Sequence, residues 1–372
     1  MGMVRTGSGP SSGRCVASWL LFTAFLTAAG SRAEDTDFLR PAKASGGLRV
    51  LALGGAFVGL ADDAGTIPAN PAGLIAVPRS FEIIVAPNGW GSGGGRPRHA
   101  ALALHPSPWV AAGAGWQQDV RQSLVPTAAS ERFDGEGAMA FVGAAFSFPD
   151  RRFSGGATVE WRRLSYSGDD VSGDDSDWSW SAGLLFRPEN REVPRLGVRY
   201  SARSEWALGD ARLVRMPSVL STGISWHYGV LRLSDLLVSF QTDWVHYADL
   251  TRDSTQGRQA RNDLDVRLGL ELSFPFECFT GCGSMFQIRG GIHNAAPLPF
   301  DVRARTPAED LGQGPPRSNR WAVGAALSLR SVLQGRLKAE LTYDRSSRSL
   351  GVGFGWRFPE AYRAEIEDLT RR

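Results

Sequence analysis

Few residues of this 372-residue chain are of the types that do covalent chemistry, and their spacing argues against it. The five histidines, His99, His105, His227, His246 and His293, are scattered, with no ordered Ser/His/Asp set around them. No HExxH, G-x-S-x-G or P-loop motif occurs. Gly54 to Gly59 is glycine-rich, but no βαβ pattern follows it, so no dinucleotide site is expected. Asp169, Asp170, Asp174, Asp175 and Asp177 would attract calcium, yet they lack the order and the closing glutamate of an EF-hand. They read as a solvated outer loop. Cys278 and Cys282 are four apart and have no partner pair to complete a zinc site. Outside the cytoplasm such a pair is expected to form a disulfide. No enzyme activity, metal or cofactor is expected from these residues.

Most of the other reactive groups are charges, and their arrangement depends on the elements that carry them. After Pro78 the chain alternates with period two. Leu264, Val266, Leu268, Leu270, Leu272 and Phe274 share one face, with Asp265, Arg267, Glu271 and Ser273 on the other. Leu337, Ala339, Leu341 and Tyr343 oppose Lys338, Glu340, Thr342 and Asp344. Successive strand side chains point to opposite sides, so each segment is a strand with one apolar and one polar face. Fourteen such segments are expected, near 80–87, 98–105, 109–118, 138–148, 153–166, 177–187, 195–202, 215–228, 233–247, 262–274, 285–294, 320–330, 336–344 and 350–358. Most approach the roughly 9–11 residues that a tilted strand needs to cross a bilayer.

The start of the chain reads as an address. Arg5 and Arg14 precede an uncharged apolar run from Val16 to Ala29, and Ser31-Arg32-Ala33 supplies a cleavage site. Residues 1–33 are therefore expected to be a signal peptide. The whole chain has 41 Lys+Arg against 38 Asp+Glu. Arg5, Arg14 and Arg32 belong to the leader, which has no acid, so 38 face 38 in the mature part. Its neutrality removes the basic patch that nucleic-acid binding requires.

After Ala33 no apolar run is long enough for a membrane helix. A chain that spans lipid with strands must close them, because lipid offers no partner to a free backbone edge. The connections support this arrangement. They are short after the second, fourth, eighth and twelfth strands and long at 119–137, 248–261 and 295–319. Transmembrane barrels alternate short periplasmic turns with longer outer loops. Phe146, Phe148, Phe186, Trp226, Tyr228, Phe274, Trp356 and Phe358 would form one aromatic rim. Trp116, Tyr166, Trp178, Trp180, Trp244, Tyr247 and Trp321 would form the other. The expected fold is an all-β, transmembrane, antiparallel up-and-down barrel of about 14 strands over residues 80–358, followed by a periplasmic tail over 359–372. It would have outer-membrane lipid as its surroundings. The polar faces then form the lumen, with Glu82, Glu160, Arg162, Arg187, Arg199, Asp243, Asp265, Arg267, Arg289, Arg330, Lys338, Glu340 and Asp344 inside. Charges of both signs imply a cross-linked or wet interior, whereas a tunnel for an apolar ligand is lined mainly by apolar groups. Asp265 and Arg267 are expected beside Arg289, and Lys338 and Glu340 beside Arg330.

Residues 34–79 do not alternate. They contain Gly54-Gly55-Ala56-Phe57-Val58, Ala61-Asp62-Asp63 and Asn70-Pro71-Ala72-Gly73-Leu74. This pattern resembles the N-terminal signature of the FadL-like superfamily of outer-membrane proteins. That superfamily includes long-chain fatty-acid and aromatic-hydrocarbon transporters and the PorV/PorQ-type proteins. The resemblance implies that residues 34–79 form a small hatch inside the barrel lumen. It also implies passage of small hydrophobic molecules, or else a barrel that binds secreted proteins without transport. Asp62 and Asp63 would cap a short helix or meet a lumen arginine. Asn70 would bond local backbone, and Pro71 would fix a bend.

Overall fold

The computed structural model describes residues 47–77 and, between 81 and 357, all but 92–97, 119–121, 125–132, 151, 168–171, 191–192, 209–211, 232–233, 247–262, 278–282, 297–318, 331–335 and 346–348. The expected leader, the C-terminal tail and both cysteines of the expected disulfide lie outside the described residues.

Seventeen strands are present among the described residues: β1 (Phe81–Gly91), β2 (Arg98–Ser107), β3 (Val110–Gln118), β4 (Gln122–Leu124), β5 (Phe133–Ser147), β6 (Phe153–Ser167), β7 (Ser172–Phe186), β8 (Arg195–Ser201), β9 (Ser204–Leu208), β10 (Arg212–Met216), β11 (Ser218–Leu231), β12 (Ser234–His246), β13 (Asp263–Glu277), β14 (Gly283–Ala296), β15 (Asn319–Arg330), β16 (Arg336–Asp344) and β17 (Ser349–Arg357). Each ring strand pairs antiparallel with its neighbours. β1 pairs with β17, and β3 pairs with β5 from Val110↔Phe146 to Gln118↔Ala138, which closes the sheet on itself. Three short strands lie outside the ring. β4 extends the end of β5, and β9–β10 is a separate hairpin between β8 and β11. The ring is therefore a closed 14-stranded barrel with no free edge, as a spanning sheet requires.

Side chains follow the pleat. On β12, Gln241 and Asp243 are buried in the interior while Phe240 and Trp244 are exposed on the outside. Outward aromatics pair along the two rims, as with Phe153–Phe186 and Trp180–Tyr200, whose ring centroids are 4.8 and 5.4 Å apart. Thr222 and Thr242 also face outward, and their hydroxyls bond each other at 2.7 Å. Two polar groups on an apolar surface thus satisfy one another.

The long-loop end differs from the sequence reading. The β6–β7 ladder continues to Ser167↔Ser172, so Asp174, Asp175 and Asp177 stand on a strand and not in a loop. Asp174 pairs with Arg163 at 2.6 Å on the exposed hairpin. The interval 119–137 likewise contains β4 and the start of β5. Polar composition signals solvent exposure, and a hairpin projecting beyond a rim is as exposed as a loop.

Residues 47–77 lie inside the ring. They form α1 (Leu48–Ala52), α2 (Thr66–Ala69) and a 3-10 turn over Pro71–Ala76, linked by tight turns. Nearly every residue is buried. Ala52, Leu53, Leu60, Ile67 and Leu74 have no exposed surface.

Candidate functional site

The site is the filled lumen. A segment this irregular leaves many backbone groups without helical or sheet partners, and burial makes each one costly. The wall side chains supply the missing bonds. Gln241 Oε1 accepts the N–H groups of both Phe57 and Val58, at 2.9 Å each. The hydroxyls of Ser239, Ser225, Thr158 and Ser154 donate to the carbonyls of Ala56, Gly59, Ile67 and Ala72 at 2.6–3.0 Å. Asn70 Nδ2 donates to the Val58 carbonyl at 2.9 Å and across to Leu184 of β7 at 3.2 Å. Its Oδ1 caps the 3-10 turn by accepting from the Ala72 N–H.

Glycines set how closely the wall approaches. A Cβ at Gly156 would lie 2.6 Å from the Pro71 carbonyl carbon, and one at Gly183 would lie 2.0 Å from Asn70 Oδ1. Similar contacts under 3 Å involve Gly113, Gly197, Gly223, Gly269, Gly291, Gly324, Gly351 and Gly353. Within the segment, Gly54 has φ +63° and would drive a Cβ to 2.7 Å from the Ile292 nitrogen. Both its conformation and its contact require glycine. The wall thus closes on the segment's backbone at Gly156, Gly197, Gly223, Gly269 and Gly291 and on its side chains at the others.

Charges form two groups separated by the segment. Toward the short-turn end, Arg49 donates two bonds to Glu271, from Nε at 2.9 Å and Nη2 at 3.0 Å. It also meets Asp62 at 2.5 Å and Asp63 at 3.3 Å. Arg195 lies 3.5 Å from Asp62, and Asp63 Oδ1 accepts the Gly65 N–H at 2.9 Å. Arg289 joins Glu271 at 2.6 Å to Glu340 at 2.7 Å, and Lys338 meets Glu340 at 2.5 Å. Four cations and four carboxylates make one neutral network that ties the segment to β8, β13, β14 and β16. Toward the long-loop end, Glu160 pairs with Arg162 and lies 3.6 Å from Arg199. There Arg267 pairs with Asp243, and His293 lies 3.2 Å from Asp265.

The expected charge partners are corrected by the register. Arg289 stands opposite Glu271, and Arg267 stands opposite His293. Arg330 stands opposite Arg336, while Lys338 stands opposite Ser328 and Glu340 opposite Ala326. The side chains of Glu82 and Arg330 lie outside the described residues. Arg49 and the wall glycines were not singled out in the sequence. A lone arginine in the apolar run 48–60 was the available signal, since a buried guanidinium requires acidic partners.

The opposite side of the segment has a different character. Ile67, Leu74, Ile75 and Val77 pack on Ile84 of β1, Ala101 and Ala103 of β2, Ala111 of β3, and Met139, Phe141 and Ala145 of β5. His99 stacks on Phe141 with ring centroids 6.1 Å apart.

No family model matches the sequence, and no curated protein matches it. Among solved structures, the chain resembles the CymD monoaromatic hydrocarbon channel, at TM-score 0.52 and 13% identity over 83% of this chain and 95% of that one. A Pseudomonas aeruginosa FadL homologue is similar at TM-score 0.48 and 13% identity, covering 86% and 98%. The Ralstonia pickettii toluene transporter TbuX gives 0.49 and 13%, covering 84% and 98%. Only the first of the three has a TM-score above 0.5. The chain therefore shares the fold of that channel, here a closed antiparallel barrel of 14 strands.

Proposed function

We propose that this barrel sits in a bacterial outer membrane and admits small, mainly apolar molecules, with residues 47–77 as a hatch that closes the lumen to water and ions. The observation that carries this reading is the filled interior, in which wall glycines and hydroxyls close on the hatch. An apolar outer face, two aromatic rims and the likeness in fold to a hydrocarbon channel support it. Asp62, Asp63, Asn70, Pro71 and Gly73 hold the hatch's own shape, and the lumen charges fix it in place. The alternative implied by the resemblance, a barrel that binds secreted proteins, has no feature of the described residues in its favour.

The test is uptake of radiolabelled toluene by a Gram-negative host lacking its own hydrocarbon channels. Uptake above that of the empty host is expected, and uptake equal to it refutes the transport reading. The closure is tested separately in planar bilayers. Deleting residues 34–74 should turn a quiet barrel into an open pore, and a folded deletion that conducts no more than the full chain would show that the segment is not a plug.

A further inference from the structure

We propose that the hatch opens by its first half alone. Residues 47–60 swing about Ala61 while residues 66–77 stay on the wall, and Gln241 is the positioning residue that keeps the swinging half shut. The inference rests on the plug reading and adds which part of the plug moves.

The two halves are held in different ways. Residues 66–77 lead into β1, which begins at Phe81, so the chain itself tethers them to the wall. Their Ile67, Leu74, Ile75 and Val77 share one apolar cluster with residues of β1, β2, β3 and β5. Parting that cluster sets apolar surface against water with nothing to offset it. Thr158, Ser154 and Asn70 add bonds to β6 and β7. Residues 47–60 are held largely by charge, through the bonds of Arg49 to Glu271, Asp62 and Asp63. Charges that part into water regain hydration, which offsets much of the lost pairing. The halves meet across a second cluster, to which residues 66–77 contribute three small side chains, Ala69, Ala72 and Ala76. Asn70 Nδ2 also bonds the Val58 carbonyl across this boundary. Between the halves, Ala61 has φ +37°, a left-handed conformation that a Cβ disfavours and that a swing there would relieve.

On the long-loop side the first half is secured at Phe57 and Val58. Their successive N–H groups converge on Gln241 Oε1, while Gln241 Nε2 donates to Asp243 at 2.7 Å. Two backbone donors and one carboxylate fix which way this amide points. Asp243 pairs in turn with Arg267, which stands opposite Gln241 on β13. On the other side of the turn, the Arg49 guanidinium lies over the Phe57 ring, 5.7 Å from its centroid. Gln241 therefore places Phe57, and Phe57 supports Arg49. The bonds on the two faces of the first half are released together.

Hydrogen exchange, read by mass spectrometry on peptides of the folded full chain, tests the division. Gln241→Met removes two buried acceptor bonds and should speed exchange about tenfold in residues 55–60. Exchange in residues 48–53, which Gln241 does not touch, should rise by a similar factor, while residues 66–77 keep the rates of the natural protein. Coupling is reciprocal, so Arg49→Met should speed exchange in residues 55–60 and spare 66–77. This second variant decides the matter should Gln241→Met fail to fold. Ser154→Ala, which removes the bond to the Ala72 carbonyl, should act on residues 66–77 and leave 47–60 unchanged. A rise confined to residues 55–60 in Gln241→Met overturns the link to Arg49. An equal rise across all hatch peptides in Gln241→Met or Arg49→Met shows that the hatch leaves as one body and overturns the division. The plug reading stands or falls separately, on the conductance of the deletion of residues 34–74. A silent deletion sinks the plug and this inference with it, whereas a conducting deletion with uniform exchange sinks this inference alone.

Discussion

Arg49→Met should unlatch the hatch. The guanidinium makes two bonds to Glu271 and contacts Asp62 and Asp63, all inside the barrel. Removing one partner of a buried ion pair costs about 3–5 kcal/mol, because the remaining charge is stranded. Here the stranding is partial. Glu271 keeps Arg289 at 2.6 Å, Asp62 keeps Arg195 at 3.5 Å, and Asp63 keeps the Gly65 N–H. The loss should therefore fall at the lower end, about 3 kcal/mol, which is roughly a hundredfold in the ratio of docked to undocked hatch. Arg49→Lys should recover only part of it, since an ammonium cannot form the paired bonds to Glu271. Combining Arg49→Met with Glu271→Met should restore part of the docking, because Arg289 still holds Glu340, while Asp63 is left with the Gly65 N–H alone. The assays are protease cleavage within 47–77 in detergent-folded barrels and channel openings in planar bilayers. If Arg49→Met leaves both at the level of the natural protein, the charge network does not hold the hatch.

Other perturbations probe separate parts. Glu340→Ala strands Lys338 and leaves Arg289 with Glu271 as its remaining carboxylate, whereas Thr342→Ala removes one hydroxyl bond to the Leu48 carbonyl at 3.3 Å. The first should lower the thermal unfolding midpoint of the barrel clearly more than the second, and equal midpoints would contradict the inward network. Gly183→Ala places a methyl group 2.0 Å from Asn70 Oδ1, so it should expose the hatch to protease while the barrel still migrates as a folded band on unheated gels. Unchanged protection would argue that the wall does not press on Asn70. Asn70→Ala removes the side-chain bonds to the Val58 and Leu184 carbonyls, at a cost of about 1–3 kcal/mol, and should raise amide exchange across 58–73 without altering the strands. Cys278 and Cys282 should resist alkylation until reductant is added, and modification of both thiols without it would rule out their disulfide.

The alternation of apolar and polar residues was sufficient to mark the strands. A residue's face follows from the pleat alone, and closure follows from the absence of any other way to satisfy backbone groups in lipid. The fourteen ring strands, the inward charges with described side chains and the non-alternating N-terminal segment were legible for that reason. The short β4, β9 and β10 were missed, since three to five residues carry too little periodicity to stand out. Register was not legible, because period two fixes the side of the sheet and leaves free the partner across it. The expected neighbours of Arg289 and Arg330 were therefore misplaced, although both strands had been located correctly. Arg49 and Glu271 are 222 residues apart, and nothing local to either names the other. The wall glycines looked like gaps in a polar face. Only the folded barrel, which brings atoms of the N-terminal segment within 3 Å of where their side chains would be, shows why nothing larger fits there.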